Sequence, residues 1–399
     1  MSIKKTRLFL LCTLFFALCS LLPALDFGLL LNQEAGYGGL AGKEIFDYSV
    51  GVVPRLSGLI GKSGDFIISA GFEADYRDGW GFVPELLRTE LSFHPGNFAF
   101  EIGRMYHSDP LGFVAEGLFD GVKLAYNSEF GTFSAGAWYT GLLYKKRVNV
   151  ELTAEEQEAN NAPLDYKDML GTYFAPKRFL GALSWEHLGM AVQTRFSILG
   201  QFDFFGDNPL NSQYAAVKLT LPVKGFSLDV GGCFELIENN DKFGMAMAAE
   251  AEMAFAFQAK LKNRLSIFAR YATGHDEDSP FDVFSPVTTK SQGDVLRVRL
   301  AGVSILSLDY VVRFHPTFSA GLTNTYFIRN DSRTYSYLTP TNSKGIFLGD
   351  EVFARFLWSP ASDLQINLGG GIFLPSLGNV APNEKNFWRI EINAIFSLL

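Results

Sequence analysis

The chain has 399 residues, 48% of them hydrophobic and 15% aromatic, and a formal net charge of -8. So high an apolar fraction beside only 19% charged residues excludes a disordered chain. The acidic balance, with no Lys/Arg block, excludes nucleic acid as an expected partner, because phosphate binding needs a clustered basic surface.

Lys4, Lys5 and Arg7 precede an apolar run over 8–22, and the small residue Ala24 comes before Leu25 and Asp26. The pattern predicts a secretory signal peptide over 1–24, since the run is too short to span a bilayer as a helix. Lipidation at Cys19 is the alternative, and Leu18 before it fits that poorly. Removal of 1–24 leaves Cys233 as the remaining cysteine, so no internal disulfide is expected.

The rest of the chain alternates. Over 65–77, Phe66, Ile68, Ala70, Phe72, Ala74 and Tyr76 oppose Asp65, Ser69, Glu73 and Asp75. Over 243–255, Phe243, Met245, Met247, Met253 and Phe255 oppose Glu250 and Glu252. A period of two predicts strands with one apolar and one polar face. Such segments fall near 26–32, 46–57, 65–77, 84–94, 97–106, 119–128, 131–144, 178–187, 189–202, 212–222, 225–237, 242–257, 261–273, 294–314, 316–328, 346–359, 361–374 and 386–398, which makes 18. Sixteen strands is the alternative count. Tight turns at 94–97, 127–131 and 222–225 alternate with long polar connections at 143–177, 202–212, 273–293 and 329–345. Tyr76, Trp80, Trp138, Tyr139, Trp358, Phe387 and Trp388 sit towards strand ends like an interfacial girdle. Together these features predict an all-β fold, a transmembrane antiparallel β-barrel of about 18 strands, as one outer-membrane domain over 25–399. A soluble sandwich would use shorter strands around a core.

If the apolar parity faces lipid, the polar parity lines the lumen. The expected pore-lining bases are Lys262, Arg264, Arg270, Arg297, Arg299, Arg313, Arg355 and Arg389, and the acids Asp229, Glu235, Glu250 and Glu252. Bases from 262 to 313 are the candidate solute constriction, and pairwise neutralisation by neighbouring carboxylates is the competing reading. On this parity Val298 faces lipid.

The stretch Ile102, Gly103, Arg104, Met105, followed by 118–124 with Asp120 and Gly121, resembles the "GRQ … DGV.L" strand and turn of the alginate-export family of outer-membrane barrels. The stretch 271–286, with Gly274, Asp276, Phe284 and Pro286, is similar to that family's "Y.SGD … F.PL.P" segment. The resemblance implies an 18-stranded barrel with an arginine-rich lumen that passes anionic polysaccharide.

Other chemistry has weaker support. The histidines His94, His107, His187, His275 and His315 lie mostly beside turns without a defensible serine partner, so no enzyme activity is expected. The run Asp276, Glu277, Asp278 lacks EF-hand spacing and reads as a solvated loop. No cofactor and no metal are expected. The expected partners are outer-membrane lipid, the barrel-assembly machinery and a hydrophilic or anionic solute. Two functions follow: a passive channel selecting by lumenal charge, or a non-conducting surface barrel whose long loops bind a partner.

Overall fold

The computed structural model describes residues 25–398 apart from 77–78, 151–152, 190, 205–208, 240–241, 259–260, 276–280 and 332–337. The proposed signal peptide and Asp276 lie outside the described residues. Thirteen strands come first: β1 (Leu25–Leu40), β2 (Lys43–Ile60), β3 (Gly64–Tyr76), β4 (Trp80–Phe93), β5 (Phe98–Ser108), β6 (Glu116–Ser128), β7 (Gly131–Tyr139), β8 (Arg178–His187), β9 (Gln193–Asp203), β10 (Leu210–Val223), β11 (Phe226–Asn239), β12 (Lys242–Gln258) and β13 (Lys262–Ala272). A two-stranded hairpin, β14 (Ser291–Gln292) and β15 (Val298–Arg299), interrupts the series. Then come β16 (Val303–His315), β17 (Phe318–Arg329), β18 (Phe347–Ala361), β19 (Leu364–Leu374) and β20 (Phe387–Leu398). Helices α1 (Lys145–Val148), α2 (Ala154–Asn161) and α3 (Met169–Tyr173) occupy the β7–β8 connection.

Eighteen strands form one antiparallel sheet, and β1 pairs with both β2 and β20, so the sheet closes. Closure removes the sheet edges that a membrane would leave unsatisfied. Exposure along the strands is inverted relative to a soluble protein. In β11, Val230, Phe234 and Leu236 are exposed while Gly231, Cys233 and Glu235 between them are buried. Hydrocarbon outside and polar groups inside give that order. The long connections 140–177, 273–302, 330–346 and 375–386 share one rim, and the short turns at 224–225, 316–317 and 362–363 lie at the other.

Three sequence expectations change. The segment read as one strand over 294–314 is divided: 294–302 belongs to a loop folded into the barrel, and the wall strand is β16. Arg297, Arg299 and Val298 are therefore loop residues, and Val298 is buried inside, not lipid-facing. A chain that alternates through a two-residue β segment looks the same as one continuous strand. Trp138 and Phe387 are buried on the lumenal side, with Trp138 4.2 Å from the His107 ring and Phe387 5.7 Å from Phe373. The girdle keeps Tyr76 and Trp80, paired at 5.5 Å, and Trp388, which Tyr37 joins at 5.1 Å.

Candidate permeation path

The described residues of three connections of the long-loop rim, 109–115, 140–177 and 273–302, fold inward and pack on one another. Their apolar residues, among them Leu111, Phe113, Val148, Phe284, Val287 and Leu296, form a buried core inside the barrel. Phe113 and Phe284 meet edge to face at 6.0 Å. Thr288 joins two loops, accepting from Glu116 N–H at 2.9 Å and donating its own N–H to Val114 C=O. Thr289 N–H donates to Asn149 C=O of the third loop at 3.0 Å. Asp109 rigidifies the first loop by accepting backbone N–H bonds from Leu111, Gly112, Val114 and Ala115. Burial holds its carboxyl above the usual range, against the pull of those four donors.

Wall carboxylates latch this assembly. Glu351 of β18 accepts three successive backbone N–H bonds, from Asp294 at 2.6 Å, Val295 at 3.0 Å and Leu296 at 2.8 Å. Glu235 of β11 accepts from Ser285 N–H at 2.9 Å, while Tyr214 donates to Ser285 C=O at 2.6 Å. Each latch pairs backbone groups of the plug that burial would otherwise leave unsatisfied. Gly293, at φ +80° and packed under the Phe327 ring, lets the chain turn between the Arg270–Gln292 contact and the Glu351 latch.

The six bases read as one constriction are dispersed. Lys262 and Arg313 face each other across β13 and β16 beside the short-turn rim, where Arg313 donates to Pro316 C=O. Arg264 pairs with Glu252, and Arg270 with Glu250 at 2.8 Å. Glu250 also holds Lys218 at 3.0 Å, and Asp229 accepts from Thr220. Acids and bases of β11–β13 are cross-strand neighbours, so their fields close locally. Arg270 further lies 4.7 Å above the Phe113 ring, which makes it a support of the plug. Arg299 pairs in register with Ser291 in the loop hairpin.

Open space lies on the other side of the plug. A cavity of about 460 Å³ is lined by the loop bases Lys146, Arg147 and Arg297 and by the wall acids Glu34, Asp47, Glu73 and Asp75 of β1–β3. A second, of about 450 Å³, lies among Asp309, Arg355, Asn367, Glu391 and Asn393, and the two meet at Glu34. At the junction Arg389 grips Asp47 bidentately, at 2.9 and 3.0 Å, and Glu391 at 3.1 Å. Arg297, held at φ +52°, reaches Glu391 at 3.2 Å. Arg147 bridges Glu73 at 3.1 Å and Glu85 at 3.0 Å, and Arg355 pairs with Asp294 of the loop. Opposed rows of unlike charge in a narrow space orient polar solutes.

Of the expected pore residues, Arg297, Arg355 and Arg389 come together at this neck, and the others do not. Glu34, Asp47, Lys146 and Arg147 were not anticipated. Gly36, Gly38 and Gly39 make the second half of β1 look like a turn, and nothing in 140–177 signals that it folds inward. Among the motif residues, Arg104 and Asp120 form a bidentate pair at 2.8 and 2.9 Å across β5 and β6. Phe284 is buried in the plug, Gly274 lies against Asp331, and Pro286 follows the Ser285 latch.

No family model matches the chain, and no curated protein matches it. Solved structures do. Pseudomonas aeruginosa OccK5 (OpdH) superposes with a TM-score of 0.63 at 10% identity, covering 95% of this chain and 99% of that one. OccK2 (OpdF) of the same organism, in complex with glucuronate, gives 0.63 at 11% identity over 95% and 100%. The outer membrane protein OprD, also from that organism, gives 0.59 at 11% identity over 94% and 93%. The likeness shows the fold: the chain is a closed 18-stranded antiparallel barrel like those of these outer-membrane proteins.

Proposed function

We propose that the protein is a passive outer-membrane channel for small hydrophilic solutes, anionic sugar acids foremost. The observation that carries this is the pair of cavities meeting at Glu34, with Arg297, Arg389 and Glu391 at the junction. A sugar acid brings one carboxylate and several hydroxyls. The neck offers guanidinium groups already shared among carboxylates, beside the amides of Asn160, Asn161, Asn367 and Asn393. A passing carboxylate can borrow Arg297 or Arg389 for the time its own charge replaces that of Glu391. The neighbouring fold solved with glucuronate agrees with this class. The resemblance to alginate exporters extends the same chemistry to a chain of such units, as a second solute to screen.

The experiment is planar-bilayer conductance of the refolded barrel under a salt gradient, before and after Arg297→Glu. Anion preference that falls or inverts on reversal is the expected result. A well-inserted but silent barrel would refute the channel and return the loops to partner binding, a reading that the apolar plug favours.

A further inference from the structure

β4 is paired with β3 along its whole length, from Tyr76 opposite Trp80 to Gly64 opposite Phe93. Its pairing with β5 covers only Thr89–Phe93 against Arg104–Phe100, and β5 beyond Arg104 pairs with β6 alone. The wall therefore has a seam alongside 80–88. Trp80, packed on Tyr76, marks the interface at the long-loop rim, and the exposed Phe82 and Leu86 continue the apolar exterior below it. At that depth an unsatisfied backbone group costs several kcal/mol.

Side chains take the place of the missing strand. Tyr166 Oη accepts from Phe82 N–H at 2.6 Å and donates to Phe82 C=O at 3.2 Å. Tyr173 donates to Pro84 C=O at 2.9 Å, and Arg104 donates to Leu86 C=O and, at 3.0 Å, to Leu142 C=O of the same loop. Pro84 has no N–H to satisfy, as suits an edge position. The covering segment presents Tyr166, Leu170 and Phe174 outward, with Leu170 77% exposed. Directly behind it Tyr144 meets Tyr173 in a tilted ring pair at 5.0 Å and, together with Val83 of β4, lines the 460 Å³ cavity, the upper of the two.

We propose that this seam is a lateral portal, through which a single-chain amphiphile passes between the outer leaflet and the upper cavity. Its head enters among Asp75, Lys146 and Asn161 while its tail lies between β4 and 165–174. A continuous ladder opens only by breaking consecutive backbone bonds. Here a few hydroxyl and guanidinium contacts hold the wall shut, and an acyl chain can replace the exposed apolar cover at no cost in hydrophobic burial. The portal stands independently of which solute takes the axial path.

The test uses the refolded barrel in vesicles with a fluorescent lysophospholipid in the outer leaflet. Inward movement is read as the fraction that albumin no longer extracts. Tyr166→Phe with Tyr173→Phe should accelerate movement several-fold. Phe82→Cys with Tyr166→Cys, joined by a short thiol-reactive linker, should lower movement several-fold relative to the same variant without linker, with ion conductance unchanged. Heat-modifiable gel mobility verifies that each variant is folded. Equal movement with and without the linker, or no acceleration in the double phenylalanine variant, would overturn the portal.

Discussion

At the scale of single residues, the neck is shaped by what is small as much as by what is charged. Arg389 on β20 reaches Asp47 on β2 by crossing the face of β1 at Gly36, where a Cβ would overlap the ends of both side chains. Two variants separate space from charge. Gly36→Ala displaces flexible side-chain ends, not backbone, so folding should change by no more than about 1 kcal/mol, while the guanidinium is pushed into the path. Single-channel conductance should fall, with the sign of selectivity retained. Asp47→Asn removes a negative charge and leaves Arg389 to Glu391 alone, so the reversal potential should move towards anions. Unchanged conductance in the first and unchanged reversal potential in the second would place the conducting route elsewhere.

At the scale of elements, strands are legible wherever one face meets lipid, because the period of two is then enforced on every residue. β3, β11 and β12 are readable for that reason, and so is the count of wall strands. The same rule misleads at 294–302, where Val295, Leu296, Val298 and Leu300 serve a plug instead of a membrane. Alternation records that a side chain is apolar, not which solvent it avoids. The inward course of 140–177 was illegible since its ties, such as Lys145 to the Ala159 and Ala162 carbonyls or Arg178 to Glu156, join residues of no local pattern. The candidate site was legible only in part for the same reason: Arg355 and Arg389 follow from strand parity, whereas their loop-borne partners follow from tertiary placement. A pair of variants tests the corrected assignment. Leu308→Arg puts a charge on the exposed lipid face of β16 and should cost about 2–4 kcal/mol near the midplane, seen as impaired folding into vesicles. Val298→Glu lies in the plug, so insertion should remain normal while the current becomes noisier. Impaired insertion by both variants would return Val298 to the lipid face and 294–314 to a single strand.

At the scale of the whole molecule, the barrel and its contents do separate work. A closed ring of 18 strands encloses a lumen wide enough to leave an aqueous channel if nothing fills it. The plug narrows that lumen from one side, and its position is fixed by Glu351, Glu235 and Arg270 on the wall behind it. It thereby presses Arg297 and Arg147 towards the acids of β1–β3. Replacing 281–302 by a short glycine-rich turn removes one of the three loops of the apolar core and Arg297 together. The latching carboxylates, released into water, can be hydrated without burial cost, so the ring itself should still fold. Conductance should rise several-fold, and discrimination between a sugar acid and a neutral sugar of equal size, measured by vesicle swelling, should collapse towards unity. If discrimination survived the replacement, selectivity would reside in the wall pair Arg389 and Asp47 instead of in the opposition of loop and wall, and Asp47→Asn in the shortened barrel would then be the variant that abolishes it.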